Sequence, residues 1–482
     1  MPAQSHDIRY VCLSDMHLGE ADSILTPLQR GTREVDATSV DPVLEGLVVC
    51  LEHLIDGNRG DRRPTLILNG DALELAFGTF SDALTNFERL ARLLLERELF
   101  DLLVYIPGNH DHHIWEVARE TQYGNMIGEP GAGQLPPLRH VTSLRLEGAV
   151  PAFLLNKIID WIHEPVGGDH AEHEIVVAYP NLALLDGSER RCVLFHHGHY
   201  VEPVYHFFSK LLRWLFPDRP HPESIDEVEA ENFAWIEFIW SLLGRSGGAG
   251  ADVRRLFRTL RDPAKFDRFS DDLARRAVEV ADVPWIPGDV LERIALRSGI
   301  RWLGPRLSGE RSRRRVVFSS EVREGIESYL FGPTFRQLRE ELGKIPDELT
   351  FVFGHTHKPF EAVLAGPGAD GSVKVYNTGG WPIDSIEPFP SMGASILLLN
   401  ETLDVAALRV FNDGEGSGQV TFEIRSATAN EPGAEFRGEL EKRLRPTSGT
   451  LAEPWQDLES RIRDAVARRR RYHEEAPDAA NR

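Results

Sequence analysis

The run Tyr10-Val11-Cys12-Leu13 passes directly into Ser14-Asp15-Met16-His17, and the reading of the whole chain starts from this join. Four apolar residues bounded by polar ones have the length of a buried strand. An aspartate and a histidine two positions apart follow at once. The same layout returns four times. Thr65-Leu66-Ile67-Leu68 leads to Asn69-Gly70-Asp71, and Leu102-Leu103-Val104-Tyr105-Ile106 leads to Pro107-Gly108-Asn109-His110-Asp111. Cys192-Val193-Leu194-Phe195 leads to His196-His197-Gly198-His199, and Leu349-Thr350-Phe351-Val352-Phe353 leads to Gly354-His355-Thr356-His357. One such pair occurs by chance in many proteins, and Gly-Asn or Gly-Asp often marks only a turn. Five of them, each behind a strand pattern, point to a common cause.

Between the first three runs lie helical patterns. Val43, Leu47, Leu51 and Leu54 share one face, as do Leu84, Phe87, Leu90, Leu94 and Leu95. Strand, helix, strand predicts an α/β fold. Loops at the carboxyl ends of neighbouring strands in such sheets converge on one crevice. The expected cluster is Asp15, His17, Asp71, Asn109, His110, His197, His355 and His357. These are oxygen and imidazole donors without a thiolate, which suits Mn, Fe, Zn or Ni. In extended backbone, residues i and i+2 point to one side, so Asp15 with His17, and His355 with His357, could each chelate one ion. Seven ligands exceed one tetrahedral ion and fill two sites when a carboxylate is shared.

These five blocks, in this order, resemble the calcineurin-like metallophosphoesterases. That family's pattern is Asp-x-His, Gly-Asp-x-x-Asp, Gly-Asn-His-Asp or Glu, His, then Gly-His-x-His. The resemblance spans positions 15 to 357 and says little about 200 to 345. It implies that Asp15, His17, Asp71 and His357 hold one metal and that Asp71, Asn109, His197 and His355 hold the other, with Asp71 bridging. It further implies that His110 is the catalytic histidine, protonating the leaving oxygen or stabilising charge, with Asp111 orienting its ring. Water then attacks phosphorus with no covalent enzyme intermediate. The second block departs from the pattern, reading Gly70-Asp71-Ala72-Leu73-Glu74, and the role of Glu74 stays open. Of the three histidines in the fourth block, His197 is chosen because family members ligate through the His directly before Gly. His196 and His199 are then structural or support the ligands, and His112 and His113 are surface residues. Val373 to Trp381 reads as a strand and turn beside the site. Ser395 to Leu399 and Val405 to Phe411 read as strands of a second sheet, completing the family's αββα sandwich of two mixed sheets flanked by helices.

The chain has 482 residues with 41% hydrophobic and 27% charged, an ordinary globular composition. Residues 1–200 and 346–430 read as two parts of one metallophosphoesterase core, 201–345 as a mostly helical insert or cap, and 431–482 as a helical or flexible tail. The count of 54 Lys and Arg against 75 Asp and Glu gives −21, which argues against nucleic acid as a partner. Residues 251–315 run the other way, with 16 basic and 10 acidic residues, and Arg254, Arg258 and Arg261 repeat at helical spacing. Arg468 to Arg471 form a further basic cluster to which no function is assigned, ahead of an acidic, Ala-rich tail expected to be mobile. Gly244-Arg245-Ser246-Gly247-Gly248 lacks the preceding strand of a nucleophile elbow and reads as a joint. Cys12, Cys50 and Cys192 lie in apolar runs and read as packed thiols of a reducing compartment. Met1 to Asp15 shows no secretory signal, and the apolar stretches around Phe207 to Phe216 and Phe233 to Leu243 are too short to span a bilayer. The expectation is a cytoplasmic protein whose aromatic-rich insert reads first as a cap packed on the sandwich, with peripheral membrane contact through that insert as the minority alternative.

The expected activity is metal-dependent phosphohydrolysis with two divalent ions, Mn foremost. The bond is a phosphoester or pyrophosphate of a small or lipid-linked substrate. A helical insert after the fourth block is similar to that of the UDP-2,3-diacylglucosamine pyrophosphatases. The competing readings are a nucleotide phosphodiesterase or nuclease, a phosphoprotein phosphatase, and a metal-binding scaffold without turnover.

Overall fold

The computed structural model describes residues 6–128, 135, 137–163, 174–242, 317–366, 371–383, 388–412, 420–428, 433–447 and 449–475. Tyr10–Leu13 (β1), Thr65–Asn69 (β2) and Leu102–Ile106 (β3) are the short apolar runs of the first three blocks, and they pair in parallel. Parallel pairing needs a crossover between strands, usually a helix. Pro42–Ile55 (α1) and Phe80–Glu96 (α2) supply the two crossovers. Asp41 caps α1 by accepting from the Val43 amide, and Thr79 caps α2 by accepting from that of Asp82. The apolar faces read from sequence are the buried ones, with Val43, Leu47, Leu51, Leu54, Phe87 and Leu90 all inside.

After the helix His113–Gly128 (α3), the edge strand Val150–Pro151 (β4) and the helix Phe153–His163 (α4), Ile175–Val177 (β5) joins β3 in parallel. Asn181–Leu185 (β6), Arg191–His196 (β7), Glu348–Phe353 (β8), Phe360–Ala365 (β9) and Ser372–Asn377 (β10) form a second sheet in the order β6-β7-β8-β10-β9. There β7, β8 and β10 are parallel, while β6 and β9 are antiparallel edges. The chain then returns to the first sheet. Gly393–Leu399 (β11) pairs antiparallel with β1, setting Tyr10 opposite Leu399, and Val405–Asn412 (β12) and Glu423–Arg425 (β13) follow outward.

This corrects the expectation that Ser395 to Leu399 and Val405 to Phe411 belong to the second sheet. β11 lies between β1 and β12 and is buried on both faces, Ala394, Ile396 and Leu398 toward the outer helices and Leu397 and Leu399 toward the second sheet. Residue alternation does not distinguish which of two sheets supplies the neighbours.

Side-chain alternation along each strand divides the interior into three layers. Cys12, Ile67 and Val104 from the first sheet meet Val193, Phe195 and Val352 from the second. Val11, Leu13, Leu66 and Leu68 face the other way, onto α1 and α2. Cys192, Leu194, Phe351 and Phe353 face outward onto the helices Ile225–Ile236 (α6), Ser320–Tyr329 and Phe335–Leu342, through residues such as Val228, Ile236, Ile326 and Leu338, while Phe207–Leu215 (α5) packs on α6 from outside. Two mixed sheets thus pack face to face with helices on their outer sides. The described parts of 201–345 are the helical layer of the second sheet. The three cysteines are free and buried.

The helices Ala434–Leu444 and Glu453–Glu475 close the outer face of the first sheet, where Phe436, Leu440, Trp455, Leu458, Ile462 and Val466 join its core. Of the basic cluster 468–471, Arg469 is buried, and its Nη2 donates to the carbonyls of Ser23 and Thr26 in the loop that follows His17. The basic stripe at Arg254, Arg258 and Arg261, the 244–248 segment and the tail beyond 475 lie outside the described residues. No described helix is long and apolar enough to cross a membrane.

Because Trp455 is fully buried in this core, Trp455→Ala should cost about 3–5 kcal/mol of unfolding free energy. A urea titration checks this, and a loss below about 1 kcal/mol would mean that the closing helix is not part of the cooperative core.

Candidate metal centre

The five polar blocks begin where β1, β2, β3, β7 and β8 end, so the parallel direction of these strands puts them on one side of both sheets. The β1–β2 pairing continues into the loops. Asp15 N donates to Gly70 O at 2.9 Å, His17 N to Asp71 O at 2.9 Å, and Leu18 N to Ala72 O at 2.9 Å. The two carboxylates are held by amides of other blocks. The His110 amide donates to Asp71 Oδ1 at 2.8 Å, and the His355 amide to Asp15 Oδ1 at 2.9 Å.

The backbone at these positions is left-handed rather than extended. Asp15, His17, Asp71, His355 and His357 have φ between 46° and 66° and are five of the eight non-glycine residues with positive φ among the described residues. Each such residue costs about 1–2 kcal/mol, and such strain gathers at functional sites. The expectation that His355 and His357 chelate one ion from extended backbone is therefore corrected. Their side chains go to different donor sets.

Asp15, His17 and His357 form one set. Its contacts are His17 Nε2 to His357 Nε2 at 3.2 Å and His357 Nε2 to Asp15 Oδ1 at 3.3 Å. Asp71, His197 and His355 form a second, with Asp71 Oδ2 at 3.1 Å and His355 Nδ1 at 3.3 Å from His197 Nε2, and His17, Glu74 and His110 form a third that shares His17 with the first. Asn109 Oδ1 lies 3.1 Å from the same His197 nitrogen. Asp71 Oδ2 is also 3.8 Å from His17 Nε2, so it stands between the sets. Donors held about 2.0–2.2 Å from one ion lie about 3–3.5 Å from each other, the spacing found here. Ring nitrogens facing ring nitrogens satisfy at most one hydrogen bond per pair, whereas both can ligate a cation. The buried His and Asp clusters fit metal ions.

Electrostatics point the same way. Burial drives His17 down to about 4 and lowers His355, favouring the neutral imidazole that binds metals. Burial opposes charge on His197, but Asp71 beside it prevails and lifts the ring to about 9. Burial likewise opposes the Asp71 carboxylate, yet His197 and His110 hold it well below the usual range. Asp15 is pushed up to about 7 by burial, with neighbouring Asp71 adding to the rise. Two buried carboxylates this close require compensating positive charge.

His110 lies at the edge of the first set, its ring 4.9 Å from that of His17. The carboxylate that orients it is Glu74, whose Oε1 is 2.9 Å from His110 Nδ1 and whose Oε2 is 2.7 Å from His17 Nδ1. This corrects the role given to Asp111. Asp111 accepts from the Gly108 amide at 2.6 Å, from Tyr105 OH at 2.5 Å and from the Leu73 amide at 3.2 Å, so it ties the third loop to the second. Glu74 is itself fixed by the Ala76 and Phe77 amides. Its position three residues after Asp71 was the available signal.

His112 and His113 are not surface residues. His112 is fully buried, and both Nδ1 atoms contact Glu237, at 2.7 and 2.8 Å, on the helical turn Glu237–Ser241. His196 and His199 are buried behind the site, where His196 Nδ1 accepts from the Gly198 amide. The turn after β10 lies beside the site, with Asn377 Nδ2 donating to Gly354 O and the Trp381 amide to Asp15 O. Sequence reasoning missed Glu202, 3.6 Å from His355 Nε2, and the aromatic wall of Phe77, Tyr205 and Trp240. Tyr205 packs edge-on against His355, and Phe77 and Trp240 against His110. No periodicity or spacing marks those residues.

No family model matches the chain, and no curated protein matches it in sequence. The site is therefore read from its own geometry.

Gly70 combines φ +84° with a position at which an added Cβ would lie 2.2 Å from the His197 ring. Gly70→Ala should displace His197 and reduce bound metal, measured by elemental analysis after gel filtration. Unchanged metal content would show that His197 is dispensable.

Proposed function

We propose that this chain is a dinuclear-metal phosphohydrolase of the calcineurin-like metallophosphoesterase type, cleaving a phosphoester or pyrophosphate bond of a small or lipid-linked substrate. The observation that carries the reading is Asp71 standing between two donor sets, with His110 backed by Glu74 at their edge. Asp15, His17 and His357 would hold one ion, Asn109, His197 and His355 the other, and Asp71 both. When bound, such ions, drawn from Mn, Fe, Zn and Ni as the oxygen and imidazole donors allow, would supply Lewis-acid charge to the phosphoryl oxygens and to the attacking water.

The chain's own residues supply the rest. Glu74 engages His110 Nδ1, which leaves Nε2 as the nitrogen that gives a proton to the departing oxygen. Such transfer contributes about 10²- to 10⁴-fold in rate. The same carboxylate engages His17 Nδ1 and so turns Nε2 of that ring toward the donor set, as carboxylates behind ligating histidines do. Phe77, Tyr205 and Trp240 give the site an apolar wall, which strengthens charge interactions inside it.

The decisive assay is hydrolysis of bis(p-nitrophenyl) phosphate and p-nitrophenyl phosphate by metal-stripped protein refilled with Mn. Activity should depend on Mn and vanish in Asp71→Asn. Bound metal with no turnover on either ester or on a pyrophosphate would favour a scaffold that keeps its ions.

The roles of His110 and Glu74 separate by kinetics. His110→Ala should cut kcat about 10²-fold or more with metal content nearly unchanged. Glu74→Gln, which keeps shape but loses charge, should cost about 10- to 100-fold. Loss of metal and activity in equal measure in His110→Ala would make that residue a ligand instead.

A further inference from the structure

The helix α5 leaves large apolar side chains uncovered. Trp214 is 77% exposed, the most of any large hydrophobic residue among those described, and Phe207, Leu215 and Phe216 are exposed beside it. Phe207, Trp214 and Leu215 fall at i, i+7 and i+8, so they share one face. The opposite side anchors the helix to α6. Asn232 Nδ2 donates to Ser209 Oγ at 2.8 Å and Phe208 packs on Trp235, which Phe207, 37% exposed at the border between the two faces, also touches. Phe238, three residues beyond Trp235, is exposed as well.

Charge identifies the occupant. From Pro203 to Pro217 the chain carries His206, Lys210 and Arg213 and no acidic residue, although the whole protein is at −21. A second copy suits this face poorly, because a two-fold interface would pair a helix whose only charged side chains, Lys210 and Arg213, are basic with the same basic helix. Aromatic and apolar residues flanked by Lys and Arg, on a helix too short to span, are the marks of a helix lying in a lipid interface.

We propose that α5 docks the protein on an anionic membrane surface. Trp214, Leu215 and Phe216 enter the headgroup boundary, and Lys210 and Arg213 meet the lipid phosphates. The turn before the helix, Pro203–His206, leads directly to the metal centre, where Tyr205 packs against His355. Docking therefore sets the site close to the membrane surface. The proposal does not depend on the phosphohydrolase reading, since binding is measured without turnover.

The test is flotation of the full chain with phosphatidylcholine vesicles containing or lacking phosphatidylglycerol. The protein should float with the anionic vesicles, several-fold less with neutral ones, and less again at high salt, where the Debye length falls to about 3 Å at 1 M. Trp214→Glu with Phe216→Glu should reduce flotation about tenfold, with circular dichroism and melting temperature unchanged, while Trp214→Phe retains it. Lys210→Glu with Arg213→Glu should remove the preference for anionic lipid. Wild-type protein that floats with neither vesicle, or a Trp214→Glu, Phe216→Glu variant that floats as well as wild type, overturns the proposal. So does a dimer in sedimentation velocity that those substitutions dissociate and that does not float.

Discussion

The carboxylate of Asp71 is the point on which both sheets close. One oxygen is held by the His110 amide and the other faces His197 and His17, so a single side chain engages the ends of β1, β2, β3 and β7. There is no space for adjustment around it. A Cβ at Gly108 would lie 2.3 Å from Asp71 Oδ1, and one at Gly354 would lie 2.0 Å from Asp15 Oδ2. The glycines in these blocks are thus a steric requirement of the charged cluster.

Gathering Asp15, Asp71, Glu74 and Asp111 in the interior is costly, because each charge loses its hydration. The structure answers with amides aimed at every one of them and imidazoles at all but Asp111, and it accepts left-handed backbone at five positions of the donor sets to do so. Strain and buried charge at one place are tolerated when the surrounding structure over-determines the geometry. Here three apolar layers do so, two outside the sheets and one between them.

The two helical layers act differently. On the first sheet the closing helix Glu453–Glu475 braces the loop after His17, through Arg469 on the Ser23 and Thr26 carbonyls, and the segment after β10, through His473 Nε2 at 2.8 Å from Ile383 O. On the second sheet the segments around α5 and α6 reach over the site. Glu202 meets His355, Glu237 clamps His112 and His113, and Tyr205 and Trp240 wall the centre. The first layer fixes the donor residues, and the second shapes the space in front of them.

The sequence by itself determined the local elements and the donor inventory. An apolar run of strand length ending in Asp, Asn or His is a local signal, and all five such runs are strands whose polar ends meet. The periodic faces of α1 and α2 were legible for the same reason. What only the tertiary structure decided is everything that depends on a partner distant in the chain. β11 lies beside β1 because pairing is a contact between residues almost 400 positions apart. Glu74 rather than Asp111 orients His110 because a left-handed turn at Asp71 and two amide hydrogen bonds aim its carboxylate back at the ring. His112 and His113 are buried because Glu237, more than 120 residues away, comes to meet them. Spacing tells which residues can share a loop, but the direction in which a side chain points follows from backbone conformation and packing, which exist only once the chain has folded.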